Sequence, residues 1–407
     1  MKNKRICSIL PKTPNKLFPM VFRAAIFKEL LSYEGRLYEE KGPCPACGAK
    51  ESRKNHIAPN KIFCKLIDEN NQFYTVHVRI RYYTCKKCGK VHKAANAPFV
   101  PKVDYASPII DLAFYFSDVP FHQAERMISD LGIQVDRDTI RKWHILFGKK
   151  AHRRSARRFQ GSQETFFADI LALLFGEEKA GQIAASLECA ADETYPTKKG
   201  ERKKFREANK ALRMAGKEEQ KYPRGFTLAA SYAHNLGIFS SLLLSHAPFN
   251  RTMAEELLQK AKEAKYVLTD GHQAYSGIVE NHFRCAIHLF RNSWKKLDKK
   301  KKYPEGYFRE EFARYLQKYL IRLRERMPHL FNDKGKYLGA YSTNAMEGGN
   351  WRLKYMLKTL YANAGAIFGR VCAIAIKESM ATFRKGVPVE SYGHANSNFS
   401  FSAALSG

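Results

Sequence analysis

The sequence has no run of 18 apolar residues and no basic amphipathic helix at either terminus, so nothing in it asks for a membrane. The opening MKNKRICSILPK is basic, but its apolar stretch is short and broken by Pro11, so it does not read as a secretory leader. Cysteine is sparse, nine in 407 residues, which argues against a disulfide scaffold. Acidic residues are few: 39 Asp and Glu face 70 Lys and Arg, a formal charge of +31. That imbalance is too large for a solubility device and predicts a polyanionic partner, nucleic acid first. No internal repeat is visible, and a chain of this length exceeds what one core covers, so two or three domains are expected.

Four of the cysteines fall in two matched pairs, CPACG at 44 to 48 and CKKCG at 85 to 89. Two thiolates about one turn apart with glycine just after make a knuckle whose amides face a metal-bound sulfur. Two knuckles supply four tetrahedral ligands. Cys44, Cys47, Cys85 and Cys88 are therefore the expected ligands of a structural Zn²⁺, and FYTVHVRIRYYTC (73 to 85) alternates like a strand entering the second knuckle of a zinc ribbon. His56, His77 and His92 each can stand in for a cysteine. Cys7, Cys64, Cys189, Cys285 and Cys372 are scattered, and most read as small buried apolar residues.

Residues 107 to 148 read as three helices. Ser117 or Asp118 is expected to cap the second, Gly132 to end it, and Asp136 or Asp138 to open the third. That third helix carries Thr139, Arg141 and Lys142 on one side, with Ile140, Trp143 and Phe147 on the other. The pattern suits a helix-turn-helix offering its last helix to the DNA major groove, or a plain helical connector.

From about 185 the texture turns to mixed strand and helix. ASLECAADET is a strand ending in acid, GFTLAASYAHNLGIFSSLLLS is two strands about a turn at 234 to 237, TMAEELLQKAKEA is a helix, and YVLTDGHQAY is a strand that stops at Asp270. Strand, hairpin, helix, strand is the order of an RNase H-like sheet. A charged insertion of about 30 residues follows the first strand, and a helical insertion spans about 290 to 340.

Asp192 and Asp270 close two predicted strands, and Glu347 stands at the start of a predicted helix. Each acid also has a local reading: an Asp-Gly turn for Asp270, a turn cap for Asp192, a capping box with Asn344 for Glu347. Glu193, beside Asp192, can be mistaken for the working acid. If the two strands are neighbours and the helix packs across them, the three carboxylates meet at one edge. Like charges so placed disfavour ionisation, and cations relieve them. Hard oxygen ligands suit Mg²⁺ or Mn²⁺, and two such ions ~3.5–4 Å apart activate an attacking oxygen and stabilise a leaving one at a phosphodiester.

The chain resembles the DDE transposases of prokaryotic insertion sequences, particularly those related to the Mutator-like group. The resemblance rests on ADETY with Asp192, LTDGHQAY with Asp270, CAIH with Cys285 and His288, and STNAMEGGNWRLK with Glu347, over roughly residues 185 to 380. It implies an RNase H-like core in which Asp192, Asp270 and Glu347 are catalytic and hold two Mg²⁺ or Mn²⁺ ions, with Cys285 and His288 supporting. Element ends would be nicked and the freed 3′-hydroxyl joined to target DNA. Arg352, Lys354 and Lys358, past Glu347 on the same helix, are the expected phosphate contacts.

The expected layout is a multidomain α+β/α/β chain: zinc ribbon 1–104, helix-turn-helix 105–150, linker 151–184, catalytic domain 185–385, and a disordered tail 386–407. Double-stranded DNA, as element ends and as target, is the expected partner of a homodimer or larger homo-oligomer, cytoplasmic and nucleoid-associated. Two other readings fit: a domesticated sequence-specific DNA-binding protein without chemistry, and an RNase H-like nuclease that cuts without joining.

Overall fold

A 16-residue strand facing one of 13 residues dominates the first part of the structure, a computed structural model. It describes residues 17–68, 70, 72–100, 103–155, 165–194, 201–216, 227–245, 247–294, 306–340, 342–343, 364–384 and 401. The chain forms two units, Met1–Phe147 with Phe399–Gly407, and Gly148–Asn398.

In the first unit, helix α1 (Leu17–Leu31) precedes strands β1 (Leu37–Tyr38), β2 (Ser52–Ile67), β3 (Phe73–Cys85) and β4 (Val91–Lys93). The sheet order is β1-β3-β2, and β4 also pairs with β3. Val76, Val78 and Ile80 alternate inward along β3, as period-2 patterning requires. Pro59 has no amide to give a ladder, and it sits with Asn60 (φ 56°) in the bulge between Ala58 and Lys61, where two residues of β2 oppose one of β3.

Helices α2 (Ser107–Tyr115), α3 (Phe121–Asp130) and α4 (Arg137–Ser155) follow. They bury Ile110, Phe114, Ile128, Ile140, Trp143 and Phe147. Helices α2, α3 and α4 as far as Phe147 fall in the same unit as the sheet, where a separate domain 105–150 was expected. The reason is backbone pairing: the Ile67 amide donates to the Gly132 carbonyl (2.8 Å) and the Gln134 amide to the Lys65 carbonyl (2.9 Å). Pro120, neither Ser117 nor Asp118, occupies the N-cap of α3. The Ser117 hydroxyl turns inward, to the Phe114 carbonyl and the His144 ring. Gly132 does follow the end of α3, and Asp136 opens α4 by accepting from the Thr139 amide at 2.8 Å. Phe401, in the stretch expected to be a disordered tail, is buried against Phe114 with ring centroids 4.6 Å apart. Average composition hides a single aromatic anchor of this kind.

The second unit is built on a six-stranded sheet of order β10-β9-β6-β7-β8-β5. Its strands are β5 (Thr165–Asp169), β6 (Glu188–Thr194), β7 (Thr227–Ala233), β8 (Ile238–Ser245), β9 (Tyr266–Thr269) and β10 (His282–Arg284). Helices α5 (Ile170–Phe175), α6 (Glu177–Ala184), α7 (Glu201–Met214), α8 (Arg251–Leu257), α9 (Ala286–Trp294), α10 (Tyr307–Arg326) and α11 (Ala364–Arg384) accompany it. The expected linker 151–184 instead carries edge strand β5, paired antiparallel with β8 from Thr165↔Ser245 to Asp169↔Ser241. β6, β7 and β8 are antiparallel, whereas β6, β9 and β10 run parallel. Every residue of β8 is buried, and α11 packs on it. Among the described residues no helix is long and apolar enough to cross a membrane.

The β7–β8 turn carries the expected pH response. Asn235 clamps the start of β6, accepting from the Glu188 amide (3.1 Å) and donating to the Ser186 carbonyl (2.9 Å). Beside it, burial holds the His234 imidazole down to about 4, and its Nε2 has no partner among the described residues. An unfolded histidine titrates near ~6.5. The stability from neutral His234 is thus complete above ~6.5 and lost as pH falls towards 4, about 3 kcal/mol at most. Denaturant unfolding between pH 7 and 4 should show a shallower decline for His234→Gln than for the parent. Parallel curves would remove this assignment.

Candidate active site and metal centre

The register of the long hairpin assembles the cysteine cluster. Ser52 lies opposite Cys85, and the Lys86 amide donates to the Glu51 carbonyl at 3.0 Å, which brings the first knuckle beside the second. The knuckles repeat each other bond for bond. Gly48 donates to Cys44 (2.8 Å) and Cys44 to Ala49 (2.9 Å); Gly89 donates to Cys85 (3.0 Å) and Cys85 to Lys90 (2.9 Å). Gly48 and Gly89 have φ of 71° and 69°, the left-handed region where a side chain is strained.

All four sulfurs lie within 4.8 Å of one another, with Cys44–Cys88 and Cys47–Cys85 at 3.6 Å. A tetrahedron with Zn–S bonds of ~2.3 Å separates its sulfurs by about 3.8 Å, so the cluster could hold a structural zinc. Hydrogen bonds favour the thiolate form. The Cys88 amide, aided by that of Lys87, brings Cys85 down to about 7, and the Ala46 amide lowers Cys44. Cys47 is raised to about 11: the Ala49 amide pulls it down, but burial and the three neighbouring thiols prevail. The cluster is made by the cysteines alone; His56 is instead stacked on Tyr82.

In the second unit, parallel pairing of β6 with β9 ends at Ala191↔Thr269. The next residues in register are Asp192 and Asp270, so the pairing itself sets the two carboxylates side by side. Asp270 leaves β9 at once, its Oδ1 accepting from the His272 amide at 2.8 Å. Asp192 stays within β6, opposite Ala230 of β7, two residues short of the strand end where it was expected.

A third acid joins them. Carboxylate oxygens of Asp192, Glu193 and Asp270 lie within 4.8 Å of one another. Glu193 accepts from the buried Tyr275 hydroxyl at 3.2 Å. Burial first, then the charges of Asp270 and Asp192, push its carboxyl up to about 8. Three carboxylates packed this closely form a donor set for a divalent cation, whose charge would relieve their repulsion. From the sequence, Glu193 is set aside as a rival that can be mistaken for Asp192; the structure places the carboxyls of both in the cluster.

No family model, curated protein or solved structure matches the chain.

Cys285 and His288 also gather near the acids. The Cys285 amide donates to the Thr269 carbonyl at 2.7 Å, one residue before Asp270. Burial opposes ionisation of the Cys285 thiol, but hydrogen bonds from His288 and Thr343 outweigh it and hold the thiol below its ordinary value. The Thr343 amide is 3.4 Å from Cys285 Sγ, and its hydroxyl is 3.5 Å from His288 Nδ1. Thr343 was not foreseen; its only signal was its place in STNAME, four residues before Glu347. Glu347, Arg352, Lys354 and Lys358 lie outside the described residues. On α4, Arg141 and Lys142 are exposed, Arg141 3.5 Å from Asp138. Thr139 is committed to the cap, its hydroxyl donating to Asp136 at 2.6 Å.

Proposed function

We propose that the chain is a metal-dependent DNA transposase of the DDE type with an RNase H-like catalytic unit. The observation that carries this reading is the parallel register that sets Asp192 beside Asp270, with Glu193 in the same carboxylate cluster. The order β6, hairpin β7–β8, α8, β9 supports the RNase H-like assignment. Glu347 is proposed as the further acid. Its support is the contact of Thr343 with Cys285, whose amide bonds Thr269 beside Asp270.

Asp192, Asp270 and Glu347 would hold two Mg²⁺ or Mn²⁺ ions, which activate the attacking oxygen and stabilise the leaving oxygen. Glu193 shapes the site from beneath, tied to Tyr275. In the first reaction water forms the new P–O bond and the departing 3′ oxygen leaves as a hydroxyl. In the second, that 3′-hydroxyl forms a new P–O bond to a target phosphodiester by in-line displacement, and the target strand's own 3′ oxygen leaves as a hydroxyl. The cysteine knuckles and α2–α4, read as a zinc ribbon and helix-turn-helix, would bind the element's terminal repeats, and two ends held together call for a dimer or larger assembly. The charge of +31 supports a nucleic-acid partner.

The test is incubation of the full chain with Mg²⁺ or Mn²⁺ and labelled duplexes carrying the DNA that flanks the gene. Nicked ends and products joined to target DNA are the expected result. Cutting without joining would leave a nuclease, and tight binding without a nick would leave a DNA-binding protein.

A further inference from the structure

A groove of about 620 Å³ lies on the helical segment that follows the acidic strands, bounded by β10, α9 and α10. Lys318, Arg322 and Arg326 line it at i, i+4 and i+8 of α10, so one helix face presents an exposed cation every ~6 Å along its axis. Arg284 faces them from the end of β10. No carboxylate lines the groove, and none of the four cations has an acidic partner among the described residues. Like charges one turn apart repel, so this stripe weakens the free helix and suits an anion with its charges strung in a line.

Two tyrosines complete the walls. The Tyr319 hydroxyl donates to the Arg284 carbonyl at 2.7 Å, which ties α10 to the end of β10. Tyr315 is half-buried, tilted against Phe290 at 5.4 Å, and leaves part of its ring towards the groove. The volume falls in the range of small-ligand pockets, ~300–1,000 Å³, which admits a few unpaired nucleotides and not a duplex. Aromatic walls beside a basic track are the means by which unpaired bases and their phosphates are held. One wall of the groove, Arg284, reaches the turn that carries Asp270. A Cβ on Gly271 (φ +97°) would lie 3.0 Å from Arg284 Cδ, so the arginine stem rests on the residue next to Asp270.

We propose that this groove takes an unpaired, single-stranded DNA segment leading away from the phosphodiester at Asp192 and Asp270, with its phosphates on Arg284, Lys318, Arg322 and Arg326. The inference rests on the transposase reading for the identity of that strand.

The experiment uses the full chain with no added Mg²⁺ or Mn²⁺, where no cleavage is expected, and compares a labelled ten-nucleotide single strand with a labelled duplex by fluorescence anisotropy across a salt series. The triple variant Lys318→Gln, Arg322→Gln, Arg326→Gln should bind the single strand at least about tenfold more weakly, with a salt slope shallower by about 2, and bind the duplex nearly as before. Arg309→Gln, exposed on α10 outside the groove, is the control. Equal losses for strand and duplex, a loss no larger than the control's, or a mononucleotide competing as well as the strand would each overturn the proposal. Photo-crosslinking of wild type to a 5-iododeoxyuridine strand gives a readout independent of the variants' folding: adducts on peptides carrying Tyr315 or Tyr319 support the groove, and adducts only elsewhere overturn it. Because binding is read without added Mg²⁺ or Mn²⁺, the two readings separate. A chain that holds the strand here but never cuts keeps the groove and loses the transposase; one that cuts and joins while the triple variant binds normally loses only the groove.

Discussion

Asp270→Asn is expected to lower strand cleavage by about a thousandfold or more, equivalent to about 4 kcal/mol of transition-state stabilisation. The carboxylate follows the last residue of β9, stands in register with Asp192, and belongs to the cluster with Asp192 and Glu193. Asparagine keeps an oxygen for the His272 amide at the position where Asp270 accepts at 2.8 Å, so the turn should survive. Single-turnover cleavage with Mn²⁺ measures the loss, and thermal melts without added divalent cation measure the fold. Cleavage within tenfold of wild type would sink the two-aspartate site. Glu193→Gln offers the contrast. It removes a carboxyl that burial and the two aspartates oppose ionising, so the protein without added divalent cation should melt about 2–4 °C higher while its response to Mn²⁺ shrinks.

Cys85→Ser should cost the first unit its zinc and much of its folded structure. Metal binding in small cysteine sites contributes about 10–16 kcal/mol to folding in isolated peptides, and only the part that the sheet and helices cannot supply is at stake here. Cys85 ends β3, accepts from Gly89 in the second knuckle, and lies 3.6 Å from Cys47 of the first, so its loss opens both knuckles. Metal analysis of the full chain should give about one zinc per wild-type molecule and none per variant, and limited proteolysis should cut the variant between the knuckles. A variant that retains zinc and resists protease would show that the cluster is not a metal site. Chelation of the wild type should reproduce the variant's pattern.

The cysteine cluster was legible because its chemistry is local: two thiols one turn apart, a glycine after each, and a strand leading into the second pair. The core face of α4 and the alternation of β3 were legible for the same reason, since helix and strand periods are written in neighbouring residues. The strand positions of Asp192 and Asp270 could be read as well. Their pairing could not, because it depends on β6 and β9 lying side by side across more than 70 residues of intervening chain.

Long-range contacts also decided what was misread. β5 has the length of a turn-rich linker segment until β8 offers it a partner, and Phe401 is one aromatic in a polar tail until Phe114 receives it. Glu193 is one more acid next to Asp192 in the sequence until Tyr275, arriving from the turn after Asp270, bonds its carboxyl within the cluster. By itself, then, the sequence determined ligand types, helix faces and the excess of positive charge. Tertiary structure alone decided which acids share a site and which cations face one groove, because packing between distant segments, not spacing along the chain, sets those distances.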